Sequence, residues 1–144
     1  MTPPYLVFSS SGDTRLDVAH WDAQAARFFG TRLDHVGGAG AGESRIFVTP
    51  PREEPGGDRV IAARPCDAED LALADEAERR QGGGGLALLA RRCRSVWLVR
   101  RDADDDRLAL RLAMILASVV LGPILDVRGP ELFGVKTARA KLGA

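Results

Sequence analysis

Lysine is almost missing from this chain: Lys136 and Lys141 stand alone among 20 basic residues, and the rest are arginine. Together with abundant alanine and glycine, that preference matches coding in a GC-rich bacterial genome, so the arginines do not by themselves point to anion binding. Cysteine is limited to Cys66 and Cys93, which no metal-type spacing connects. Aromatic residues make up 6%, too few to interleave with the basic residues as a base-stacking platform. Net charge is zero, which removes any global electrostatic case for nucleic acid or acidic lipid. No apolar run is long enough to cross a membrane. The longest, residues 108–121, covers about four turns, where a span needs roughly 20 residues, and an acidic run precedes it. The opening MTPPYLVFSSSGD has neither a positive segment nor a long apolar core, so no signal peptide is expected. The expected compartment is the cytoplasm, with both thiols reduced. No internal repeat is visible.

The 144 residues, 45% of them hydrophobic and 28% charged, suit one soluble domain spanning 1–144 with a sizeable core. Charge is split along the chain. Residues 1–70 carry a formal −4 and residues 71–144 a formal +4, a mild dipole of use for self-association at most. The clearest structural unit is 96–127, VWLVRRDADDDRLALRLAMILASVVLGPILDV. Its unbroken apolar opening at 96–99 suits a strand buried on both faces. Asp102, Asp104, Asp105 and Asp106 then favour a helix start. Only Arg111 and Ser118 are polar between 108 and 121, and they share one narrow stripe with Arg107. Such a helix must be covered nearly all round, with Leu112, Ile115, Leu116 and Val119 buried. Gly122 is expected to supply a left-handed stop and Pro123 to prevent continuation, before a strand at 124–127. If the strands at 96 and 124 lie side by side, they are parallel with a right-handed crossover.

Taken in order, 5–8 reads as a first strand. A helix capped by Asp17 follows, with Trp21, Ala25, Phe28 and Phe29 on one face and Gly30 at its end. Residues 31–42, ending in GGAGAG, read as a loop. Strands at 46–48 and 60–63 form an antiparallel hairpin with a long solvated tip, TPPREEPGGD. A helix over 67–80 opens on Asp67 and Asp70, whose spacing approximates a capping box. QGGGG breaks it, and a short helical piece occupies 86–92. A last helix begins near Pro130, with Leu132, Val135, Ala138 and Leu142 on one face.

The expected architecture is an α+β domain with a mixed sheet of about five strands. It has a ferredoxin-like βαββαβ start, an added α-β-α, and cover on both faces of the sheet. Cover from the helices looks thin, so a second copy of the chain is the expected source of the remainder, as a two-fold homodimer.

Candidate chemistry is sparse. Asp17, His20, Asp22 and His35 are metal-type ligands without a common helical face, so a capping aspartate and two exposed histidines account for them better. Ser9, Ser10 and Ser11 end the first strand, with Asp13, Asp17 and His20 downstream, but the GxSxG elbow is absent. Cys66 stands at a helix start, where a dipole lowers a thiol pKa, yet Asp67, Glu69 and Asp70 oppose that effect. Cys93, flanked by Arg92 and Arg94, precedes a buried strand and reads as core. Neither GGAGAG at 37–42 nor the glycines at 82–85 have the strand-before, helix-after setting of a nucleotide loop. Arg91, Arg92, Arg94, Arg100 and Arg101 read as paired at a solvated edge. No catalytic, cofactor or metal residue is assigned. The expected function is a protein-binding or regulatory module that self-associates, binding neither nucleic acid nor membrane. The rival is a small-molecule-binding protein or minor enzyme using the N-terminal Ser/Asp/His segment or Cys66.

Overall fold

A computed structural model of the protein describes residues 2–102 and 106–143. Its α+β architecture is one sheet of seven strands with five helices among the described residues. The strands are β1 (Tyr5–Ser9), β2 (Arg32–Gly40), β3 (Glu43–Thr49), β4 (Gly57–Pro65), β5 (Ser95–Val99), β6 (Ile124–Asp126) and β7 (Glu131–Phe133). The helices are α1 (Val18–Phe29), α2 (Ala68–Gln81), α3 (Leu86–Arg91), α4 (Arg107–Val120) and α5 (Val135–Lys141).

The spatial order is β2-β3-β4-β5-β1-β6-β7, and every neighbouring pair is antiparallel. The sheet is therefore neither mixed nor five-stranded. The ferredoxin-like start also fails, because that pattern would put the first strand between those at 96 and 60. Instead β5 pairs directly with β4, and β1 lies on the far side of β5. β5 and β6 do run the same way, but β1 stands between them, so they are not ladder partners.

Two strands escaped the sequence pattern. The segment expected as a loop at 31–42 is mostly β2, whose ladder with β3 slips between His35 and Gly37 and again between Gly38 and Gly40. Glycine adds no side-chain packing to a strand and marks such irregularities. β7 occupies 131–133, so the last helix starts not at Pro130 but after Gly134. Within it Ala138 is buried, followed by Leu142.

Helices α1 and α2 form where their caps predict. Asp17 accepts the His20 amide, and Gly30 closes α1 in the left-handed region. Asp67 and Asp70 complete both bonds of a capping box on α2. At α4 two expectations need correction. Asp106 takes the N-cap position, but its carboxylate bonds no helix amide. At the other end Leu121, not Gly122, adopts the left-handed conformation. Gly122 is needed for another reason: a Cβ there would stand 1.8 Å from the Phe8 carbonyl oxygen. Asp104 and Asp105 lie outside the described residues.

Alternation along the buried strands splits the interior in two. Tyr5, Val7, Trp97, Val99, Ile46, Val48 and Ile61 face one core, closed by α1, α4 and α5. Leu6, Phe8, Val96 and Leu125 face the other, closed by alanines of α2 and α3. In α4, Leu112, Ile115 and Leu116 are fully buried, whereas Val119 is only half-buried. The second core takes no residue from β2, β3 or β4. Both faces are thus covered over β5, β1, β6 and β7, and only one face over the β2-β3-β4 wing.

Candidate functional site

The residues singled out by type do not converge. Asp17 caps α1 through the His20 amide at 3.2 Å. Asp22 receives a two-pronged bond from Arg32 at 2.9 and 2.8 Å and the Leu33 amide at 2.8 Å, which fastens α1 to β2. The Arg32 bond, outweighing the partial burial, holds the Asp22 carboxyl below the usual range. His20 and His35 are exposed on α1 and β2. Among the described residues, no group of three His, Cys, Asp or Glu is placed to hold a metal ion. The serines bond main-chain groups, Ser9 and Ser11 within their own turn and Ser10 across to the Val120 carbonyl at 3.5 Å. Ser9 Oγ donates to the Ser11 carbonyl at 3.3 Å, Ser95 Oγ donates to the same carbonyl at 2.6 Å, and Ser11 Oγ accepts the Asp13 amide at 3.0 Å. Both cysteines are free and half-buried. Burial pushes the Cys66 thiol up to about 11, with Asp70 adding to it, and burial also raises Cys93.

Arg101 is not at a solvated edge. Its side chain is 0% exposed, where the start of β1, the end of β5 and the end of β6 meet the first turn of α4. It donates to Asp126 Oδ1 at 2.6 Å and bonds Asp106, and its guanidinium lies 3.9 Å over the Tyr5 ring. The Tyr5 hydroxyl donates to Asp106 Oδ2 at 2.8 Å. Burial opposes ionisation of Asp106, but the Tyr5 and Arg101 bonds outweigh it and hold the carboxyl below its ordinary range. Burial, then the bond to Asp106, raises the Tyr5 phenol. Each charge has its partner inside this cluster, so it fastens strand ends rather than presenting a reactive group. The expected pairing of the other arginines holds for Arg91 with Asp75 at 3.0 Å and for Arg100 with Glu43 at 2.6 Å.

Two clefts remain. One, of about 500 Å³, opens on the uncovered face of the wing. Val60, Ala62 and Leu98 form its half-buried apolar floor, with Pro4 beside them. Ala62 is paired directly with Leu98, and Glu43 with Ala62, so these side chains share one face. Glu43 to Arg100 at 2.6 Å and Arg45 to Asp58 at 3.9 Å frame it, and Phe47 is exposed nearby. The other cleft, of about 370 Å³, lies on the opposite side of the molecule's sheet, among α4, α5, the end of α1 and the loop at 50–56. Sequence reasoning missed both, because each is assembled from separate segments. The only signal for the second was Arg111 interrupting an otherwise apolar helix.

No family model, curated protein or solved structure matches the chain. No helix among the described residues is long and apolar enough to cross a membrane.

Proposed function

We propose that the protein is a non-catalytic binding module whose partner is a second copy of the same chain. The face it uses is the uncovered side of β2-β3-β4. The observation that carries this reading is the half-buried strip of Val60 and Ala62 on β4, which no helix covers, with Leu98 of β5 beside them at the edge of the second core. Sheets whose apolar side chains lack cover within the chain gain by burying them against another surface. The charges around the strip support self-pairing. They come as acid and base side by side, Glu43 with Arg100 and Arg45 with Asp58. Such a mixed rim carries no net charge that would oppose bringing two copies of the face together about a two-fold axis.

Light scattering across a concentration series tests the reading. A dimer mass is expected well below about 100 μM, given that an affinity of about 1 μM corresponds to about −8 kcal/mol. Val60→Glu puts an unpaired charge in the strip and leaves the two cores untouched, so it is expected to give a folded monomer. A wild-type mass that stays monomeric at about 100 μM overturns the proposal.

A further inference from the structure

We infer that the cleft between α4, α5 and the loop at 50–56 is a binding site for a small organic anion, one with an oxyanion head and an apolar body. This site lies across the sheet from the self-pairing face and does not depend on it.

Arg111 carries the inference. Its side chain is only 6% exposed, yet it makes no side-chain hydrogen bond among the described residues. Its nearest acid oxygen is Glu54 Oε2, at 3.6 Å. A guanidinium offers five donors in a fixed fork, and none of those of Arg111 is sealed away from the cleft without a partner. Arg111 lines an open cleft, so its donors face space that a ligand can enter. Arg52 and Arg139 line the same cleft. Arg139 is held in place: it donates to the Phe28 carbonyl at 3.3 Å and lies 5.0 Å over the Phe29 ring. Three arginines against one glutamate leave the cleft cationic.

The remaining walls set the ligand's body. Phe29, Pro51, Met114 and Leu142 are apolar. The volume of about 370 Å³ falls within the range of roughly 300–1,000 Å³ usual for small-molecule sites. Inorganic phosphate leaves those walls bare, and a neutral apolar compound leaves Arg111 unmet. A carboxylate or phosphate ester with an apolar tail satisfies both, and Arg binds either head in two-pronged fashion.

Glu54 then has a definite role. It stands in the exposed tip between β3 and β4, and lies 3.5 Å from Arg107 as well as 3.6 Å from Arg111. It is a placeholder that the incoming oxyanion displaces from Arg111.

Titration of isotope-labelled protein with octanoate and with phenyl phosphate, followed by NMR, tests the site. Octanol and inorganic phosphate serve as the tail-only and head-only controls. Saturable shifts at the Arg111 side chain, Met114 and Gly143 are expected with at least one of the two anions. Both controls should bind at least about tenfold more weakly. Arg111→Met should weaken the anion at least about tenfold, and the exposed rim change Arg139→Gln should weaken it with the fold intact. Glu54→Gln should tighten it, because the competing carboxylate is gone. Octanol binding as well as octanoate overturns the inference. So does an anion unaffected by Arg111→Met and Arg139→Gln, an unchanged or weakened affinity in Glu54→Gln, or no saturable shift with either anion.

Discussion

Arg101 and Arg111 lie at the two ends of the story of buried charge in this fold. Both are nearly or wholly withdrawn from water. Arg101 meets Asp126, Asp106 and the Tyr5 ring, each tied in turn to another element. Arg111 meets one exposed glutamate at 3.6 Å, across an open cleft. A buried ion is tolerated when its partners replace water, and a site whose partners are missing is held at some cost to stability. Similar burial therefore accompanies opposite uses: the first arginine closes a structural joint, and the second leaves donors for a ligand.

Replacement of each by methionine breaks the comparison most sharply. Arg101→Met strands Asp106 and Asp126 without their cation and is expected to cost about 3–5 kcal/mol in urea unfolding. Arg111→Met keeps the volume and removes a poorly met charge, so its loss should not exceed about 1 kcal/mol. Equal losses in the two variants would erase the distinction between joint and site.

Leu116 supplies the reference for what α4 itself contributes. It is fully buried in the core beneath the sheet, so Leu116→Ala should cost about 2–5 kcal/mol through the cavity left behind. A loss below about 0.5 kcal/mol, the scale of surface changes, would mean that the helix is not packed as described. The contrast with Arg111, also on α4, then separates packing from function along a single element.

Much of this was legible in residues that act locally. Asp17, Gly30, Asp67 and Asp70 mark helix ends by their own backbone chemistry, and each is found at a cap. The doubly apolar stretches at 5–8 and 96–99 gave the two-sided burial of the central strands. β2 was hidden because Gly37, Gly38 and Gly40 contribute neither alternation nor strand propensity, and its pairing with β3 supplies the order instead. Strand order was hidden for a different reason: the pairing of β5 with β4 and β1 depends on contacts far apart in the chain. The same holds for both clefts. Arg52, Arg111 and Arg139 come from three segments, and only folding brings them to one wall. Arg101 and Arg111 look alike in sequence, and what divides them is how many acids the fold delivers to each.

A third arginine extends the comparison to the thiols. Arg64 lies near Cys66, and an unoccupied guanidinium would favour the thiolate. Arg64 is occupied: it bonds both oxygens of the buried Asp70, at 2.6 and 2.8 Å, and stands 3.6 Å from Asp67. Burial and the Asp70 charge therefore dominate, and the Cys66 thiol is pushed up to about 11. The protonated form prevails at neutral pH, so alkylation at Cys66 should be slow there and climb as pH approaches 11. Asp70→Asn removes the nearby negative charge and leaves Arg64 only the longer contact to Asp67, at 3.6 Å. Both changes favour the thiolate, so the pH midpoint of alkylation should move down. Mass spectrometry of the alkylated peptide across pH reads that midpoint. A midpoint below about 8.5, the value of a free cysteine, in the unaltered protein would show that Arg64 is available to the sulfur after all. An unmoved midpoint in Asp70→Asn would show that burial alone sets it, and that the state of Arg64 has no reach beyond its own ion pair.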